Sequence, residues 1–315
     1  MQKLFIIISL TLSIYANNIT KGYEAFDKAD YKTAYKLWKP IAQLGNDEAQ
    51  NNLASLYHLG RGVLRDYDQA LKWYKKSAIQ GNYEAQFNLG LMYSKGKGVQ
   101  KDFKEAIKWY ELSAKQNFSE AQYSLGVVYA FGLGVEIDYK KALNWYEKSA
   151  AQGFYLAQYD LGNLYSNGLG VVQDYEKAFS WCKKSAEQGY DAAQYNIAVM
   201  YYDGAGVAKD YKQAIIWYKK AAKQGHYKSL YSLALMHDKG EGVEKNMQEA
   251  FKLYKKSAEL GFNRAQYSVA AMYCYGEGIL KNLQECSYWA EKAHNNNYNV
   301  NELWNKFELW KYRKK

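Results

Sequence analysis

Two places in the chain set a serine three residues ahead of a lysine, Ser94 with Lys97 and Ser180 with Lys183. Such spacing can put a hydroxyl beside an amine that takes its proton, the opening arrangement of an acyl-enzyme hydrolase. That chemistry also needs partner motifs that supply a base and an oxyanion hole, and no Lys-Thr-Gly occurs anywhere. Seventeen serines in so lysine-rich a chain make about two matches by coincidence, and two are found. By pattern Ser94 falls in a turn between helices and Ser180 on a helix, so no residue is assigned a catalytic role.

Metal chemistry has no better footing. The four histidines, His58, His226, His237 and His294, occupy four different phases of the repeat described below, without a His-Glu-x-x-His spacing. His237 stands where a tyrosine recurs and reads as a packed residue. No metal site and no cofactor is expected.

The elements that would position any of these residues repeat every 36 positions from Ala49, with no insertion or deletion. Ala49, Ala85, Ala121, Ala157, Ala193, Ser229 and Ala265 open seven units. Four residues on come Leu53, Leu89, Leu125, Leu161, Ile197, Leu233 and Val269, and four further the column Tyr57 to Tyr273, with His237 as its exception. Apolar residues at i, i+4 and i+8 define one face of a helix, helix A. A Gly-x-Gly turn follows in every unit, for example Gly60 and Gly62, as a tight reversal requires. Asp66, Asp102, Asp138, Asp174, Asp210, Asn246 and Asn282 then mark the start of helix B. Helix B carries Trp73, Trp109, Trp145, Trp181, Trp217 and Trp289, with Leu253 in the remaining unit. It closes at Gly81, Asn117, Gly153, Gly189, Gly225, Gly261 or Asn297, the residues that tolerate a left-handed C′ position.

A lone helical hairpin cannot bury both its seams, so the hairpins must stack. The fold class is all-α, a right-handed α/α superhelical solenoid of helix-turn-helix repeats. The chain divides into a signal peptide (1–16), an N-terminal capping hairpin (17–48), and seven repeats (49–84, 85–120, 121–156, 157–192, 193–228, 229–264, 265–300). A C-terminal capping helix with a basic tail (301–315) completes it. Within the first cap, Pro40 is expected to kink or end its helix early. In the last, Val300, Leu303, Trp304, Phe307 and Trp310 fall on one side of a single helix. Aromatic residues make up 17 % and proline occurs once, which excludes a disordered chain.

Lys3 followed by the apolar run Leu4–Tyr15 and small Ala16 has the form of a secretory leader. The expected location is periplasmic or secreted, with no transmembrane segment once the leader is cleaved. In an oxidising compartment Cys274 and Cys286, in the two helices of the last unit, form a possible disulfide. Cys182 replaces a helix B tyrosine and is expected to be a free, buried thiol.

Two surfaces offer themselves for binding. Phe87, Tyr123, Tyr159, Tyr195, Tyr231 and Tyr267 form a column on helix A, with Leu91, Val127, Val199 and Leu235 beside it. It is either a ligand wall or packing between repeats; tyrosine suits recognition because it supplies area and a hydroxyl at low entropy cost. Lys76, Lys148, Lys184, Lys220, Lys256 and Lys292 form a ridge on helix B, in a chain of net charge +10. It is either a solvated face or a track for an acidic polymer; nucleic acid is not an expected partner, given the leader.

The pattern Ala-Gln-Tyr-x-Leu-Gly-x-x-Tyr-x-x-Gly-x-Gly-Val-x-x-Asp-Tyr-x-x-Ala-x-x-Trp-Tyr-x-x-x-Ala resembles the Sel1-like repeat family, relatives of tetratricopeptide repeats. Ala157–Ala186 shows it nearly whole, with Cys182 where tyrosine is usual. The resemblance implies an adaptor scaffold whose A helices line a concave wall and hold a protein or peptide partner; the chain itself is expected to be monomeric. An exported, cysteine-rich branch is associated with binding or slowly hydrolysing penicillins, which implies an alternative: a β-lactam or cell-wall-fragment binder with weak β-lactamase activity. That branch is marked by a cysteine pair eight residues apart in each repeat. Here those positions hold Ala78 and Gln86, or Ala114 and Gln122.

Overall fold

The computed structural model describes residues 17–312, so the leader assigned to 1–16 lies outside the described residues. Two compact units divide the chain, Met1–Phe154 and Tyr155–Lys315. The first holds a helix at 17–27, the helix Tyr31–Gln43, and three hairpins. Their A helices are Asp47–Leu59, Tyr83–Lys95 and Ser119–Phe131, and their B helices Tyr67–Ile79, Phe103–Lys115 and Tyr139–Ala151. The second holds four hairpins, with A helices Tyr155–Asn167, Asp191–Asp203, Tyr227–Lys239 and Asn263–Tyr275. Its B helices are Tyr175–Glu187, Tyr211–Lys223, Met247–Glu259 and Leu283–Asn295, followed by the short helix Asn301–Phe307 and a 3-10 turn Leu309–Tyr312. There is no strand among the described residues. Within each unit every A helix packs on the B helix after it, and every B helix on the next A helix. The fold is an all-α repeat array.

The sequence signals fall where their chemistry requires. The side chains of Asp66, Asp102, Asp138, Asp174, Asp210, Asn246 and Asn282 all accept from backbone N–H groups of the first turn of helix B. Asn117 and Asn297 adopt φ of 66° and 61° at the end of helix B, as the glycines of the other units do. The second glycine of the turn answers to space as well as to torsion. A Cβ on Gly206 would stand 2.0 Å from the Tyr175 carbonyl oxygen, so the turn sits directly on the first residue of the preceding helix B.

Alanines form the crossing points: Ala49, Ala70, Ala85, Ala106, Ala121 and Ala142 in the first unit are fully buried. With no side-chain bulk there, Leu53, Leu89 and Leu125 of helix A close over helix B, also without exposure.

Two expectations at the ends need correction. Tyr31–Gln43 keeps 13 residues, the length of the B helices, and continues past Pro40. The proline removes one backbone donor in the last turn, where the helix is already finishing. At the other end the single helix is broken. Glu308 takes a left-handed conformation (φ 51°), ending Asn301–Phe307 and turning Leu309, not Trp310, into the core. Val300, Leu303 and Leu309 close the last hairpin, Ser287 donates from its hydroxyl to the Leu309 carbonyl at 3.0 Å, and Trp310 is half exposed.

Candidate protein-binding surface

Each residue of the column Phe87, Tyr123, Tyr159, Tyr195, Tyr231 and Tyr267 is half-buried, while Asn51 takes the place in the first hairpin. Each ring is pinned on one or two sides. Phe87, Tyr123, Tyr195 and Tyr231 lean on the buried helix B tyrosines Tyr110, Tyr146, Tyr218 and Tyr254, with centroids 5.4–5.8 Å apart. On the other side stands a ring that the sequence reading did not single out. Phe118, Phe154, Tyr190, His226, Phe262 and Tyr298, each 31 residues further on, lie 4.8–5.3 Å from the column.

Tyr298 follows the last helix B, two residues ahead of the Val300 cap; all the others stand at the junction immediately before the next helix A, an N-cap position. Asn46 and Asn82 there accept from Ala49 and Ala85 backbone N–H groups, while Phe118, Tyr190 and Phe262 make no side-chain cap. Losing a cap costs about 1 kcal/mol, and an aromatic pair returns about 0.5–1.5 kcal/mol beyond its burial. The exchange is near balance, and the signal was legible as an aromatic at an N-cap position.

The column is therefore both packing and surface. Burial pushes the hydroxyls of Tyr159, Tyr195, Tyr231 and Tyr267 above the ordinary tyrosine value. Those of Tyr195 and Tyr231 lie against Ser232 and Ser268 of the next helix A. What remains open is ring edges between helices, a surface suited to contact rather than to reaction.

Carboxamides lock successive hairpins. Gln86 Nε2 donates to the Ala78 carbonyl at 3.1 Å, and Gln122 to Ala114, Gln194 to Ala186 and Gln266 to Ala258. The next repeat's amide closes the ladder: Gln116 donates to Gln86 at 2.9 Å, and Gln152 to Gln122 at 2.7 Å. In one unit both partners change together, to Leu230 and Leu260, so no buried amide is stranded.

The Sel1 repeat model matches residues 22–46, 47–82, 84–118, 119–154, 156–190, 191–226, 228–262 and 263–298. The chain belongs to the Sel1 repeat family. The first match falls on the segment expected to cap the array. A protective antigen of uropathogenic Escherichia coli displaying an SLR fold is 32 % identical. It aligns with a TM-score of 0.72 over 89 % of this chain and 68 % of its own. A Sel1 repeat protein from Oxalobacter formigenes is 36 % identical, TM-score 0.68, over 76 % of this chain and 96 % of its own. No curated protein matches the sequence.

At the two positions eight residues apart that join successive hairpins, this chain carries an amide-to-carbonyl clasp. Its reactive-looking residues are spread apart. Ser94 lies in the last turn of helix A, not in the turn after it; it donates to Leu91 and accepts from Tyr110 at 3.1 Å. Ser180 is exposed, and Lys183 faces Glu187 at 4.0 Å. His226 caps a helix through Ser229, and His58 packs on Tyr67 and Tyr74. His294 packs on Trp304, and His237 is half-buried with an unpartnered Nδ1. No group of three or more His, Cys, Asp or Glu among the described residues could hold a metal.

Lysine Nζ atoms of the helix B ridge sit over tryptophan rings: Lys76 on Trp73, Lys148 on Trp145, Lys184 on Trp181 and Lys220 on Trp217, at 3.8–4.6 Å. Cys274 and Cys286 are fully buried and paired, Cα atoms 5.3 Å apart. Cys182 is free, its thiol pushed by burial up to about 12.

Proposed function

We propose that this Sel1 repeat chain is an exported adaptor that holds a protein or peptide partner across the concave faces of its A helices. The observation that carries the reading is the aromatic column, repeated in the same helical register and left half open in six of the seven hairpins. Sel1 repeat arrays are interaction scaffolds, and repeated half-open rings supply contact area without a reaction centre. Export rests on Lys3, the Leu4–Tyr15 run and Ala16. Five of the six ridge lysines sit over tryptophan, which supports a packing role on helix B rather than a track for an acidic polymer.

The test is photo-crosslinking in living cells from position Tyr159, followed by mass spectrometry. A discrete protein adduct, weakened in Tyr195→Ala protein that retains its melting temperature, is the expected result. No protein adduct from exported, folded protein overturns the reading.

A further inference from the structure

The first residue of helix A follows a rhythm of two hairpins. It reads Asp47, Tyr83, Ser119, Tyr155, Asp191, Tyr227 and Asn263 along the chain. Where it is tyrosine, the ring stays 38–42 % exposed and packs on the junction aromatic 35 residues further on. Tyr83 meets Phe118, Tyr155 meets Tyr190 and Tyr227 meets Phe262, with centroids 5.1–5.3 Å apart. Directly after each junction aromatic comes a short polar residue, Ser119, Asp191 or Asn263, and of these three Asp191 alone carries charge.

The junction with Asp191 opens as a cavity of about 280 Å³, lined by Tyr155, Gln188, Gly189, Tyr190, Asp191 and Gln224. Its amide donors are turned inward to the protein. Gln224 Nε2 donates to the Gly189 carbonyl at 2.8 Å and to Gln194 at 3.0 Å, and Gln188 Nε2 donates to Gln158 at 2.8 Å. Asp191 accepts from the Ala192 backbone N–H at 2.9 Å and forms no ion pair among the described residues. Tyr159 backs Tyr190 edge-on at 5.1 Å. Burial first, then the acidic neighbours Tyr159, Asp160 and Asp191, hold the Tyr190 hydroxyl above the ordinary tyrosine value.

Electron-rich rings beside a carboxylate without a cationic partner attract a cation. As the first residue of its helix, Asp191 also offsets the positive helix end that would otherwise repel one. The kind of cation follows from the hydrogen bonds on offer. A primary ammonium brings three N–H donors, and the Gly189 carbonyl is already taken by Gln224. A trimethylammonium group brings none, and spreads its charge over methyl groups that lie against rings.

We infer that the cavity at Tyr155, Tyr190 and Asp191 binds a quaternary ammonium group, its methyl groups against the rings and its charge beside Asp191. This site does not rest on the partner surface of the A-helix faces. The matching cavity two hairpins on, about 530 Å³ and lined in part by Tyr227, Phe262 and Asn263, has rings but no carboxylate at that position.

The test follows the methyl protons of choline by NMR as it is titrated against the full chain. Choline is expected to saturate, whereas its uncharged isostere, with tert-butyl in place of trimethylammonium, does not. Butylammonium, a lysine-like cation, is expected to bind at least about fivefold more weakly. Asp191→Asn and Tyr155→Asn each copy Asn263, the residue another hairpin carries at that position. Each is expected to weaken choline about fivefold at an unchanged melting temperature. Asp203→Asn, at the far end of the same helix as Asp191, leaves binding unchanged. Equal binding of the isostere, butylammonium as tight as choline, or no loss in either variant overturns the inference. The ligand comparisons use the unaltered chain, so they decide even where a substitution perturbs the fold.

Discussion

Gln86 donates its side-chain amide to the carbonyl of Ala78, tying the end of one helix B to the start of the next helix A. The clasp is reversible and needs no oxidant, but it is unforgiving of half-measures. Gln86→Ala leaves the Gln116 amide and the Ala78 carbonyl without this partner, at a cost of about 1–3 kcal/mol. Gln86→Leu with Gln116→Leu copies Leu230 and Leu260 and is expected to recover most of that loss. Urea midpoints of the single and double variants check this, and a double variant weaker than the single refutes it.

The tryptophan-bound lysines should matter through packing. Lys220→Met removes the cation 3.8 Å from Trp217 and is expected to cost about 0.5–1 kcal/mol. Lys220→Arg keeps the contact and should be near neutral, as should Lys219→Met on the neighbouring exposed position. Thermal melts of the three variants distinguish stacking from bulk charge.

His226 brings acid sensitivity to one junction. Its imidazole is held below the ordinary value, chiefly by burial, against the opposing charge of Asp191. The unfolded chain therefore binds more protons near the ordinary histidine pKa, so stability is present above that pH and falls as pH drops through the folded value. His226→Asn, which copies the caps at Asn46 and Asn82, is expected to flatten that part of the pH–stability curve. His58, lowered first by burial, leaves a residual slope. A curve unchanged by His226→Asn would assign the slope elsewhere.

Cys274 and Cys286 join the two helices of one hairpin across a sequence separation of 12. Protein recovered from an oxidising compartment is expected to be two hydrogens lighter than its reduced form. Cys274→Ala with Cys286→Ala should cost up to about 3 kcal/mol, with faster hydrogen exchange confined to the last hairpin and its cap. Cys182 should resist alkylation until the chain unfolds, being buried and poorly ionised.

The repeat was legible because each mark has a local cause: Asp66 caps, Gly60 reverses, Ala70 makes room. What sits between repeats was harder to read. The aromatic column was visible at Tyr159 and Tyr195, but not that Tyr190 and His226 would stand against it, because a 31-residue offset shows only once hairpins stack. The C-terminal cap misled for a similar reason. An apolar stripe through Trp310 promised one helix, and only the buried site filled by Leu309 breaks it at Glu308. Ser94 was placed one turn too late because helix A runs on to Lys95, immediately before Gly96.

The recurring clasps between neighbouring hairpins span fewer residues than one period: eight from Ala78 to Gln86, thirty from Gln50 to Gln80, thirty from Asp47 to Ser77. Excising the codons for residues 85–120 would bring Gln122 to the place of Gln86 and Ser149 opposite Tyr83, restoring the same bonds with one hairpin fewer. Unequal crossing-over in phase with the repeat, away from the Leu230–Leu260 pair, therefore preserves these bonds, and the reach of the protein becomes a quantity that recombination can lengthen or shorten in steps of a single hairpin.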